Sequence, residues 1–192
     1  MKSNLKQLKI LVDMDGVLAD THLELISRCN AEHEAQMEKK HLTHWDLTKV
    51  QKPGMQLSKY FKIPGFFASL PVYEGAREGV SALASIKCLE LFVASASSSV
   101  GYAEKHEWLK QHFPEIPETN IVFAVRKDLL AGDVLIDDGA HNINLTICPN
   151  AIVFDQPWNQ EEIKPRTGLF RAYSWPDVVS IIYRLLKERR TA

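Results

Sequence analysis

The sequence predicts an α/β protein, a doubly wound parallel sheet with one insertion after its first strand. Three observations predict it. Short apolar runs rich in β-branched residues recur near 9–13, 90–95, 121–125, 134–137 and 151–154, each of strand length and bounded by polar residues. Helical patterns at 76–87, 102–112 and 176–189 alternate with the later runs, and that alternation implies a parallel sheet with helices on both faces. At 192 residues, one domain plus a modest insertion is the natural expectation.

Taken in order, the first run, Lys9-Ile10-Leu11-Val12, delivers Asp13 and Asp15 into a turn that Gly16 supports. Side chains alternate along a strand, so the two aspartates share a side only while the chain stays extended. Where it turns, they flank a substrate in different roles. Paired carboxylates at a strand end suit phosphoryl transfer, one attacking and the other handling the proton. An Asp-x-Asp alone also fits a strand exit closed by solvated carboxylates. Residues 20–75 form the insertion: 21–40 is rich in Glu, Lys, His and Ala and reads as helical, and the remainder carries Trp45, Tyr60, Phe61, Phe66 and Phe67 among prolines and glycines.

After the helix at 76–87, the apolar run from Leu89 ends on the hydroxyl of Ser95. Beyond 121–125 come Arg126 and Lys127, and the spacing to the next acidic strand favours Lys127 as the functional cation. The run Val134-Leu135-Ile136 then repeats the opening logic, ending in Asp137-Asp138-Gly139. The last helix starts near Pro176 and ends near Lys187 and Arg189, the preferred polarity for those residue types. An aspartate pair, a hydroxyl, a lysine and a second acidic pair, each at or near a strand end, are far more specific together than apart.

With 45% hydrophobic and 24% charged residues, the composition is that of an ordinary globular chain. A net charge of −1 offers no electrostatic footprint for a nucleic acid polymer, although a mononucleotide needs only local charge. The three cysteines, Cys29, Cys88 and Cys148, have neither disulfide-framework nor metal-knuckle spacing. The start of the chain shows no apolar signal region, and no run reaches bilayer-spanning length, so no membrane partner and a cytoplasmic location are the expectations. A homodimer is left open.

Asp13-Met14-Asp15-Gly16-Val17, Ser95, Lys127 and Asp137-Asp138 resemble the four motifs of the haloacid dehalogenase superfamily of phosphohydrolases. The stretch Val12–Asp20, with Pro64-Gly65-Phe66-Phe67, Leu70–Ala76 and Phe154-Asp155-Gln156-Pro157-Trp158-Asn159, is similar more narrowly to the 5'(3')-deoxyribonucleotidases. The resemblance implies a Rossmann-like core, residues 1–19 and 76–192, with 20–75 as a small helical cap over the site. It implies Mg2+ as cofactor and a small phosphomonoester, a deoxyribonucleotide, as substrate. It implies Asp13 as nucleophile and Asp15 as acid/base, with Ser95 and Lys127 on the phosphoryl oxygens. Asp13 and Asp138 would bind the metal, with the Asp15 backbone carbonyl, and Asp137 through water. Phe66, Phe67, Trp45 and Tyr60 are the candidates to meet a nucleobase, and each also fits simple packing.

Three departures from the animal enzymes of that family bear on the substrate. Ser95 replaces a threonine, Ala96 a second hydroxyl, and Gly139 an arginine after the acidic pair. Hydrolysis of a phosphomonoester survives these changes, whereas the identity of the alcohol is open. A phosphoacceptor signalling module is the reading from another class. Its phosphorylated aspartate ends a later strand and lacks the Asp two residues on.

Overall fold

The computed structural model describes residues 7–160 and 163–191; the first six residues, on which the expectation of no signal region falls, lie outside the described residues. Six strands form one parallel sheet: β1 (Leu8–Val12), β2 (Leu89–Ser95), β3 (Ile121–Phe123), β4 (Val134–Asp137), β5 (Asn150–Phe154) and β6 (Leu169–Ala172). Their order is β3-β2-β1-β4-β5-β6, so the winding reverses between β1 and β4. That reversal opens a crevice beyond the carboxyl ends of the two strands. Val12 pairs with Val93 on one side and Ile136 on the other, so Asp13, Ser95 and the acidic pair leave the sheet at one edge.

The pleat sorts the core. Ile10, Val12, Val134 and Ile136 face one side, packing with Val80 and Leu83 of α2 (Ala76–Ala84), Trp108 and Leu109 of α3 (Tyr102–His112), and Val178 and Ile182 of α5 (Trp175–Thr191). Leu11, Leu135, Ala151 and Val153 face the other, with Ile143 of α4 (Ala140–Leu145). Strands buried on both faces read as continuous apolar runs, which is why they were legible. The sequence reading missed two elements. β6 is an edge strand of four half-buried or buried residues, and α4 has only six.

Between β1 and α2, helix α1 (Thr21–His33) begins at Asp20, whose side chain accepts from the Leu23 N–H, as an N-cap does. The expected helix to residue 40 stops earlier. Glu34 is left-handed at φ 48°, and the Asn30 amide brackets Met37 by accepting from its N–H and donating to its carbonyl, which turns the chain back. The rest of this segment is short 3-10 turns at Lys39–His41, Leu47–Lys49, Leu57–Lys62 and Phe67–Ser69, not regular helix. No helix among the described residues is long and apolar enough to cross a membrane.

Candidate active site

The crevice collects the acidic residues of both strand ends. Asp13 Oδ1 accepts from its neighbour's N–H (Met14, 2.7 Å) and pairs with Lys127 Nζ at 2.7 Å. The same ammonium lies 2.7 Å from Asp137 Oδ2, and Asp137 is further held by the Gly139 N–H and the Asn142 amide. Lys127 is 3% exposed, whereas neighbouring Arg126 turns outward to pair with Asp128. Asp138, fully buried, receives the Trp158 indole N–H on Oδ2 at 3.0 Å. Its Oδ1 is buried with no hydrogen-bond partner.

Oxygens of Asp13, Asp137 and Asp138 lie within 4.8 Å of one another. Three carboxylates therefore face one ammonium. Burial is the largest influence on Asp13; with Asp137 and Asp15 adding to it against Lys127, its carboxyl is pushed up to about 7. Burial and the charges of Asp13 and Asp137 push Asp138 well above the usual carboxylate range. The orphaned Oδ1 and the surplus of hard oxygen donors fit a small divalent cation of the Mg2+ kind, which binds through few carboxylates. The Asp15 carboxylate lies outside that cluster.

Asp15 has its own partners. Burial raises its carboxyl, but the Lys105 ammonium, its hydrogen bond and the Thr21 hydroxyl (2.7 Å) outweigh this and hold it below the ordinary value. Lys105 also reaches the Ser95 hydroxyl at 3.2 Å and the Ala96 carbonyl at 2.6 Å. It is 2% exposed. Sequence reading missed it inside a charged helix. Its signal is a lysine at i−3 and i−4 from the buried Trp108 and Leu109, on the apolar face of α3.

These groups open onto a cavity of about 600 Å3 lined by Asp13, Asp15, Thr21, His22, Lys105, Lys127 and an apolar wall of Trp45, Leu47, Phe61, Phe67 and Val125. Glu104, on α3, positions part of that wall by accepting from the Gly65 and Phe67 N–H groups at 2.6 and 3.0 Å. The four aromatic candidates divide. Phe67 lines the cavity with Lys105 Nζ 4.6 Å above its ring, and Trp45 lines it with its ring 4.8 Å from that of His141. Phe66 and Tyr60 lie outside the lining: Phe66 is fully buried edge-on against Phe67, and the Tyr60 hydroxyl turns away to Glu32 at 2.8 Å. Phe61, adjacent to Tyr60, is at the wall instead, because a tight 3-10 turn puts neighbours on different sides.

The family model for the 5' nucleotidase, deoxy (pyrimidine), cytosolic type C protein (NT5C) matches residues 6–189. A 5'(3')-deoxyribonucleotidase of Bacillus subtilis (strain 168) is 28% identical over 171 residues, 88% of this chain and 95% of the relative. A haloacid dehalogenase-like hydrolase of Burkholderia xenovorans has a similar structure, with a TM-score of 0.61 at 17% identity over 94% of this chain and 99% of that one. A HAD hydrolase of Bacillus subtilis, solved bound to magnesium, gives a TM-score of 0.57 at 11% identity over 92% of this chain and 99% of that one. By its sequence match and its haloacid dehalogenase-like fold, the chain belongs to the NT5C family and is a phosphoric monoester hydrolase.

Proposed function

We propose that the chain hydrolyses deoxyribonucleoside monophosphates in a Mg2+-dependent reaction with an aspartyl-phosphate on Asp13. The observation that carries the mechanism is the separate anchoring of the two aspartates: Asp13 on Lys127 within the acidic cluster, Asp15 on Lys105 beside Ser95. A substrate phosphoryl group between them meets two ammonium groups and a hydroxyl. Asp13, Asp138 and the Asp15 backbone carbonyl, with Asp137 in support, would hold Mg2+, whose charge would screen the phosphoryl group so that an anionic nucleophile can approach.

Asp13 attacks phosphorus, forming the acyl-phosphate bond as the bond to the leaving alcohol breaks. The incoming phosphate shares the Lys105 ammonium, which loosens its hold on Asp15 and lets Asp15 carry the proton that the leaving oxygen takes. Asp15 then accepts a proton from the water that attacks phosphorus, releasing inorganic phosphate and restoring Asp13. Ser95 and Lys127 hold the phosphoryl oxygens throughout. Residues 20–75 serve as the cap, with Trp45, Phe61 and Phe67 offering faces to a base.

Phosphate release from a panel of deoxyribonucleotides, ribonucleotides, 3'-monophosphates and sugar phosphates, with Mg2+ or with chelator, tests the reading. Preference for deoxyribonucleotides supports it. Mg2+-dependent release only from other phosphomonoesters would keep the chemistry and discard the substrate.

A further inference from the structure

The segment Phe154–Asn159 takes no part in the reaction above, yet its side chains converge on both acidic turns. Gln156 donates to the Gly16 carbonyl at 2.8 Å and to the Tyr73 hydroxyl at 3.2 Å. Asn159 donates to the carbonyls of Asp138 at 2.9 Å and Phe154 at 2.8 Å, and its own Oδ1 accepts from Arg171 at 2.8 Å and from the Gln156 N–H at 3.2 Å. The backbone of Asp138 is thus pinned from β6 through Asn159.

Trp158 acts on the side chain of the same residue. Its indole N–H, which can only donate, bonds Asp138 Oδ2 at 3.0 Å. That oxygen also sits against Gly16, where an added Cβ would come within 2.3 Å of it. The indole cannot easily shift, being 3% exposed with its ring 3.8 Å from that of His22. The carboxylate is therefore asymmetric: Oδ2 is held on two sides, and buried Oδ1 is left without a partner.

We propose that Trp158 is a positioning residue for a divalent-cation site, its N–H fixing one oxygen of Asp138 so that the other is committed to the cation. The inference rests on the Mg2+-dependent reading above and adds to it a residue that touches neither metal nor substrate. Groups that orient a metal ligand in this way change affinity for the metal by about 10–100-fold when lost.

The test is titration of Mg2+ into substrate-free protein by calorimetry, comparing the wild type with Trp158→Phe, which keeps an aromatic ring and removes the N–H. The expected result is a dissociation constant raised about tenfold or more, with an unchanged far-ultraviolet circular dichroism spectrum. A purely structural role would lower the melting temperature and leave that constant alone. An unchanged constant in folded Trp158→Phe overturns the inference and leaves the hydrolase reading standing. A wild type that binds no Mg2+ overturns both.

Should Trp158→Phe not fold, the indole N–H resonances of 15N-tryptophan-labelled protein give the answer with Trp158 in place. One of them, retained in Trp45→Phe, should shift on Mg2+ addition and be displaced in Asp138→Asn. No such resonance would overturn the inference.

Discussion

Replacing Lys105 with methionine removes the ammonium that holds Asp15 while keeping most of the stem over Phe67. The lost contacts are the ion pair to Asp15, the hydrogen bond to Ser95 Oγ at 3.2 Å and that to the Ala96 carbonyl at 2.6 Å. The lysine side chain is 3% exposed and that of Asp15 is 23% exposed. Orphaning one partner of a buried pair costs about 3–5 kcal/mol. Partial exposure and the retained Thr21 hydroxyl bond place this case at the lower end, about 3 kcal/mol. Urea unfolding at neutral pH in chelator measures it. A double-mutant cycle with Asp15→Asn should show the two residues coupled by about 2 kcal/mol, since methionine beside a neutral amide orphans no charge. Turnover of Lys105→Met at saturating Mg2+ should fall about 10²–10³-fold, the usual loss for one charge-stabilising donor. A variant as stable as the wild type, or single-mutant costs that simply add, would refute the idea that Lys105 anchors Asp15.

Three further substitutions separate charge from shape. In chelator, the Asp13 carboxyl titrates near 7 in the folded protein, against an ordinary value of 3.8. Between those values the folded state binds more protons than the unfolded, so stability falls as pH rises through the window. Asp13→Asn cannot ionise and should lose that slope, gaining on the wild type from pH 4 to 7 in thermal melts; parallel profiles would contradict the assigned burial. For the cavity wall, Phe61→Ala should raise KM for nucleotides with modest loss of stability, whereas buried Phe66→Ala should cost about 3–5 kcal/mol. Steady-state kinetics with matched melts distinguish them, and equal KM effects would show the wall misassigned.

Legibility in the sequence followed physical simplicity. Strands buried on both faces announce themselves as apolar runs, and motifs at strand ends inherit their position from the sheet. Hence Asp13, Ser95, Lys127 and the Asp137-Asp138 pair could be singled out from linear order, although the pairing of β1 with both β2 and β4 is what sets Asp13 beside Ser95 and the acidic pair. The insertion obscured itself because 3-10 turns have no long period to read. Tyr60 and Phe61 are both aromatic neighbours in one turn, and a hydrogen bond to Glu32, 28 residues earlier, sends the first away from the cavity. Lys105 stands in no linear motif, and Trp158 stands in one without an assigned role, for another reason: each acts on an aspartate far away in sequence, through a contact that only tertiary packing creates.

The claim on which the account turns is covalent attack by Asp13, and trapping tests it most directly. Asp15→Asn, lacking the group that deprotonates water, should accumulate the aspartyl-phosphate when mixed with a deoxyribonucleotide and Mg2+. Acid quench followed by borohydride reduction converts an acyl-phosphate to homoserine, and peptide mass spectrometry locates it. Homoserine at position 13, absent without substrate, is the predicted result. Homoserine at another aspartate, or an unmodified position 13 while the alcohol product is released in a burst, would contradict it.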